Sequence, residues 1–272
     1  MSAYRELLRG KLPEKEFALL PRSFDVIGDI AIIELPRELA KRVKIIGAAI
    51  MESLHNVKVV AVEQGSHTGK YRRQKLRIIA GEKRLETVHK ESGMVLGLEV
   101  QKCYFSPRLG SERLRIAGLV KQDEKLLVVG SGVGPYPLII AKHSKASQVV
   151  GVEINPVAHK FAVQNVIKNK LQGRVICIKG DVSKLSEGEF DRIVMAIPHE
   201  GVSLVPSILR LLKKGGFLHV LDFTEESDID APSRKLVELC KENNRKCKIL
   251  ATIKAGQPGV RRYRVCIDAK VS

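Results

Sequence analysis

The sequence predicts an α/β protein: a Rossmann-like, mostly parallel seven-stranded sheet covered on both faces, preceded by a smaller α+β domain. Three observations predict it. From Lys125 onward, apolar strand-like runs alternate regularly with segments of helical spacing, as parallel β–α–β units require. One run, Leu126-Leu-Val-Val-Gly-Ser-Gly-Val-Gly-Pro135, ends in glycines at alternate positions, Gly130, Gly132 and Gly134, and the next, Val149-Val-Gly-Val-Glu-Ile-Asn155, ends in an acid, Glu153. Up to Val100, by contrast, strand signals dominate.

Taken in order, residues 1–22 read as a helical lead that Pro13 interrupts and Pro21 ends. Residues 24–34 are rich in Ile and Val and alternate in part, which predicts two strands or one bent at Gly28. From Pro36 to about Leu54 the spacing is helical, with Leu39, Val43, Ile46 and Ala49 on one face. Strands are expected near 57–62, 76–80, 85–89 and 94–100. A junction near 104–122 divides the chain, giving a lead at 1–22, an α+β domain at 23–103 and an α/β domain at 104–272. In the last, strands are expected at 125–130, 148–153, 174–178, 190–196 and 216–222, with helices at about 135–144, 155–169, 203–213 and 231–244. Two final strands, near 247–254 and 262–269, complete the sheet as an edge hairpin.

A chain of 272 residues with 44% hydrophobic content can bury one large core or two modest ones. No apolar run approaches the roughly 18 residues that span a bilayer, and the N-terminus has no apolar signal core, so a soluble, cytoplasmic protein is expected. Cys103, Cys177, Cys240, Cys247 and Cys266 are odd in number and widely spaced, which indicates neither a zinc site nor a disulfide framework; no metal is expected. Net charge is more pointed. With 47 Lys and Arg against 30 Asp and Glu, a formal +17, the chain suits a polyanion partner whose counterions it displaces. A thermophile surface would balance Lys with Glu, which this one does not.

The glycine turn lets the backbone approach a ligand closely, and an acid at the end of the following strand can grip ribose hydroxyls, so a nucleoside-containing ligand is expected. The spacing lacks the two-residue gap before the third glycine of the NAD fingerprint. Gly-x-Gly-x-Gly followed by Glu153-Ile-Asn-Pro156 resembles the class I S-adenosylmethionine-dependent methyltransferases. That resemblance places the ribose at Glu153 and the methionine part at Gly130, Gly132 and Gly134. Asp181, after the third strand, stands where that fold contacts the adenine amino group; a helix N-cap is an equal reading of the residue.

Further motifs lie upstream: Gly69-Lys-Tyr-Arg72, Thr87-Val-His-Lys-Glu-Ser-Gly93 and Phe105-Ser-Pro-Arg-Leu-Gly-Ser-Glu-Arg113. With them, the chain from about Phe24 onward is similar to the archaeal and eukaryotic tRNA (guanine-N1)-methyltransferases acting on guanine 37, in a short form lacking an extra N-terminal domain. The resemblance implies a tRNA partner, contacted near the anticodon, and S-adenosylmethionine as methyl donor; a monomer is expected. It implies Glu112 as general base, Arg72 as the cation on O6, Pro198 in the catalytic loop and Arg108 beside the cofactor. Chemistry asks for such groups, because guanine N1 carries a proton and charge grows on O6 as the methyl arrives. Each residue also has a plain reading. Glu112 complements a helix start, Arg72 belongs to the basic cluster 70–75, and Arg108 can pin a phosphate or pair with an acid.

The chain departs from the family at two positions. Ala196, in Met195-Ala-Ile-Pro-His199, replaces an asparagine, and Val128 replaces an aspartate, while His199 offers a substitute polar group. Tyr104, Phe105 or Tyr136 can stack on a flipped base. Two other functions stay open: aminocarboxypropyl transfer to base 37 from the same cofactor, and tRNA binding without turnover.

Overall fold

The amphipathic start of the chain folds as two short helices, α1 (Ala3–Leu8) and α2 (Glu14–Ala18), and α1 buries Tyr4 and Leu8. The computed structural model describes residues 3–65, 69, 71, 74–186, 188–197, 201–259 and 261–272. Two units form, Met1–Pro107 and Arg108–Ser272. In the first, the Ile/Val-rich segment makes two strands, β1 (Asp25–Ile27) and β2 (Ile30–Ile33). Pro36 caps a tight 3₁₀ stretch, Arg37–Arg42, before the α-helix proper, α3 (Val43–Ser53), begins. Helical spacing alone does not separate these two windings, because both bury one side; here Leu39 and Ile46 reach the same core.

The next strands are β3 (Val59–Glu63) and β4 (Leu76–Gly81), and the sheet order is β1-β2-β3-β4 with only β2 and β3 parallel. Helix α3 makes the crossover between those two and covers one face with Ile46 and Ile50, where Tyr4, Leu8, Ile33 and Val60 join them. A separate hairpin, β5 (Glu86–Glu91) with β6 (Met94–Glu99), follows. Asp29 ties that hairpin to the sheet: Arg84 donates to both its oxygens, Thr87 Oγ1 donates to Oδ1 at 2.7 Å, and Arg84 holds the carboxyl down at about 2.

The second unit begins with α4 (Gly110–Leu119) and then alternates: β7 (Lys125–Val129), α5 (Pro135–His143), β8 (Gln148–Glu153), α6 (Pro156–Lys168), β9 (Val175–Lys179), β10 (Phe190–Met195), α7 (Gly201–Ile208), β11 (Leu212–Glu225), α8 (Ala231–Glu242), β12 (Cys247–Gly259) and β13 (Arg262–Val271). The strands order as β12-β13-β11-β10-β7-β8-β9. All neighbours from β11 to β9 are parallel, and the β12–β13 hairpin closes one edge antiparallel, as the sequence predicts. The chain direction of assembly reverses beside β7, so a crevice opens at its carboxyl end, where ligands of such sheets bind. One segment differs from expectation. The helix expected at 203–213 stops at Ile208, passes through a 3₁₀ turn at Leu209–Leu211, and β11 starts at Leu212 rather than near 216. Leu209, Leu211 and Leu212 are buried either way, so their apolar pattern did not mark the change.

A chain of charges, buried except for the half-buried Arg115, fastens α4 to this sheet. Arg115 clasps Glu112 side-on, Nε to Oε2 at 2.8 Å and Nη2 to Oε1 at 2.7 Å, and reaches Asp268 on β13 at 2.6 and 3.0 Å. Asp268 lies opposite His219 of β11 in the strand register and accepts from its Nδ1 at 2.6 Å. Arg192 of β10 donates from Nη1 to His219 Nε2 at 2.6 Å, pairs with Glu124 at 2.8 and 3.1 Å, and donates to the carbonyl of Leu119 at the end of α4. Arginine only donates, so Nε2 must carry the lone pair and Nδ1 the proton. His219 is therefore neutral, and its contact with Asp268 is a hydrogen bond to a carboxylate rather than an ion pair. Cys266 adds a thiol within 4.8 Å, a grouping of His, Cys and Asp that suggests a metal site, but both nitrogens of His219 are already committed.

Burial depresses the proton affinity of His219, against the pull of Asp268. In the unfolded chain it titrates near its ordinary value of 6.5. A group depressed on folding stabilises fully above its unfolded value, and that contribution is lost as pH falls below it. Urea unfolding should therefore show stability declining below about pH 6.5, with this one proton supplying up to about 1.4 kcal/mol per pH unit. In His219→Gln, which keeps a donor and an acceptor, that part of the slope should vanish.

Candidate functional site

At the carboxyl end of β7 the three glycines all adopt left-handed backbone, with φ of 69° at Gly130, 57° at Gly132 and 93° at Gly134. Two also leave no room for a side chain: a Cβ on Gly130 would stand 2.4 Å from Ile197, and one on Gly134 would stand 2.6 Å from Leu138. This is a turn that only glycine makes. It delivers the backbone to α5, whose first residue, Pro135, suits an N-terminal turn.

Glu153 ends β8 with 8% exposure. Its Oε2 accepts from Gly132 N at 2.7 Å and its Oε1 from Asn155 N at 2.7 Å, so the acid spans the glycine turn and the start of α6. Burial raises its proton affinity, and backbone donors from Asn155, Gly132 and Ile154 counter that. These three donors leave part of the carboxylate's acceptor capacity open for a hydroxyl donor. Asn155 in turn caps α6 by accepting from Val157 N. Asp181 behaves as an N-cap, with Oδ1 accepting from Ser183 N at 3.0 Å and Ser183 Oγ at 2.8 Å. Glycine turn, buried acid and capped helix together fit a nucleoside bound at the switch point; Asp181 stands at the next strand end with its carboxylate already in use.

Glu112 lies in the first turn of α4, yet it is not a solvated helix-start charge: it is 4% exposed and clasped by Arg115. Around it stand Arg113, 1% exposed, and Tyr136 of α5, 3% exposed, with Cys266 and Arg264 of β13. The Arg113 guanidinium lies 5.7 Å from the centre of the Tyr136 ring. Tyr136 is thus a buried ring under an arginine rather than an open stacking platform. Among the described residues its hydroxyl has no hydrogen-bond partner. Arg108 is the exposed residue of a 3₁₀ turn, Pro107–Leu109, in which Leu109 is buried. In the first unit, Phe105 packs edge-on against His89 at 5.0 Å.

Arg72, Pro198 and His199 lie outside the described residues. Ala196 leads out of β10 with its N–H bonded to Val129 O, and Val128 is fully buried, so neither supplies a polar group to the crevice. The sequence did not single out Arg115, Asp268, His219 or Arg192. Arg115 was legible as the i+3 neighbour of Glu112 on a helix. The others meet only through strand pairing over long separations.

Comparison with known proteins divides the chain earlier, ahead of the β5–β6 hairpin. Residues 87–250 match the TRM5/TYW2 methyltransferase domain, and residues 4–84 match the TYW2 N-terminal domain. The chain is 37% identical to the tRNA (guanine(37)-N(1))-methyltransferase Trm5b of Pyrococcus abyssi over 100% of its own length and 81% of that protein. A crystal structure of Pyrococcus abyssi Trm5b superposes with a TM-score of 0.88, covering 96% of this chain and 78% of that one. The aTrm5–tRNALeu complex also gives 0.88, at 28% identity over 99% of this chain and 78% of that one. The tRNA(Phe) (4-demethylwyosine(37)-C(7)) aminocarboxypropyltransferase of Pyrococcus horikoshii is 31% identical over 98% of this chain and 95% of its own length. The chain belongs to the TRM5/TYW2 methyltransferase family.

Proposed function

We propose that this chain transfers a methyl group from S-adenosylmethionine to N1 of guanine 37 in tRNA, acting on the anticodon region as a cytoplasmic monomer. The observation that carries the reading is the likeness to Pyrococcus abyssi Trm5b along the entire chain. Among the described residues, no helix is long and apolar enough to cross a membrane. The formal +17 charge supplies the phosphate-neutralising surface such a substrate needs.

S-adenosylmethionine supplies an electrophilic methyl group on its sulfonium. Glu153 would take the ribose hydroxyls on its remaining acceptor capacity, with the glycine turn beside the methionine part. Asp181 is assigned the adenine amino group and Arg108 the cofactor's edge, both on the resemblance. Glu112 accepts the N1 proton. Arg72 supplies the cation for O6, and Pro198 belongs to the loop that holds the base. Glu112 is buried among arginines, so a proton moved to it stays out of bulk water.

Two observations favour a second reading. The N-terminal unit matches the TYW2 N-terminal domain, and the chain spans nearly all of the Pyrococcus horikoshii aminocarboxypropyltransferase. Transfer of the aminocarboxypropyl group to base 37 would use the same cofactor pocket with a different carbon presented to the base.

Glu153→Ala should lower S-adenosylmethionine affinity in calorimetry by at least about tenfold, since charge-assisted bonds are worth about 1.5–3 kcal/mol each, and leave tRNA affinity nearly unchanged. Glu112→Gln should bind both substrates normally yet slow single-turnover methyl transfer by roughly 10²–10⁴, the range for a lost general base. A near-wild-type rate in that variant would remove Glu112 from the mechanism.

A further inference from the structure

Ion pairs buried in this way are not the cheapest means of holding a helix. Taking such charges from water costs several kcal/mol per ion, and apolar residues of the same volume often serve stability as well. The line from Glu112 through Arg115, Asp268 and His219 to Arg192 and Glu124 therefore asks for a role beyond packing.

Its charges are arranged asymmetrically. Arg115 serves two carboxylates, Glu112 and Asp268, so its single positive charge is divided between them. Burial pushes the Asp268 carboxyl upward, but the hydrogen bonds from His219 and Arg115 outweigh it and hold the group below the usual carboxylate range. Asp268 is thus a permanent anion. Neutral His219 fixes its orientation without neutralising it, and Arg192 spends its own charge on Glu124.

We propose that Asp268 is a positioning residue for the transfer reaction: by sharing Arg115 it holds the Glu112 carboxylate in one orientation and draws part of that cation's charge away from it. This rests on Glu112 as the base. The other groups facing the cluster are Arg113 on α4, Tyr136 on α5, and Cys266 and Arg264 on β13, with His219 on β11 and Arg192 on β10 behind Asp268. Cys266 places its thiol 3.7 Å from Asp268 Oδ1. None of these replaces Asp268 as the second anion on Arg115.

The test is the pH dependence of single-turnover transfer to tRNA at saturating substrates. Asp268→Asn keeps the shape but leaves Arg115 wholly to Glu112. Its plateau rate should fall by about 10–100-fold, as when outer partners of a functional group are removed. Its acid limb should move to lower pH, and the KM for both substrates should stay within about twofold of wild type. Arg115→Gln removes the shared cation and should move the acid limb the other way, a sign reversal that a merely structural role does not produce. Glu112→Gln combined with Asp268→Asn should be no slower than Glu112→Gln alone, because Asp268 acts only through Glu112. Melting curves accompany each variant; should Asp268→Asn not fold, the Arg115→Gln shift decides the matter. A slow Glu112→Gln with unmoved limbs in the other variants overturns this proposal while leaving Glu112 as base. A wild-type rate in Glu112→Gln overturns both.

Discussion

The clasp between Arg115 and its two carboxylates governs the second unit. Helix α4 must lie against the sheet so that Glu112 enters the interior, and an unpaired carboxylate there would cost several kcal/mol. Arg115 compensates it from three residues along the same helix, Asp268 compensates Arg115 from β13, and Arg192 binds the last turn of α4 through the Leu119 carbonyl. The helix is thus held in its middle and at its end by groups on different strands. Its position is as exact as the hydrogen-bond geometry requires, where apolar packing would tolerate sliding.

The glycine turn poses a complementary problem. Exposed backbone N–H groups at the end of β7 need acceptors, and Glu153 provides one for Gly132 while also serving Asn155. On the proposed assignment the carboxylate that closes the turn also takes the ribose, so structural support and ligand recognition would share one side chain. Ile197 and Leu138 fill the spaces that side chains on Gly130 and Gly134 would occupy, which packs the turn from behind.

Much of this was legible in the sequence because it depends on local pattern. Alternating apolar runs marked each strand of the second sheet, and Gly130, Gly132, Gly134 and Glu153 lie within two consecutive β–turn units. What depends on long-range pairing was not legible. Asp268 and His219 are opposite one another only because β13 runs antiparallel to β11, and nothing near either residue announces the other. Tyr136 looked like a stacking surface by residue type, but its place in the first turn of α5 turns it inward beneath Arg113. The early start of β11 was hidden for a different reason: leucines that are buried in any conformation carry no period.

On the proposed function, methyl and not the larger aminocarboxypropyl group leaves S-adenosylmethionine for guanine 37. The direct measurement uses cofactor labelled separately in the methyl and in the aminobutyrate carbons, with unmodified tRNA, followed by mass spectrometry of the released nucleosides. Methyl transfer gives label from the methyl carbon alone, in 1-methylguanosine at position 37. Label entering tRNA only from the aminobutyrate carbons would contradict it.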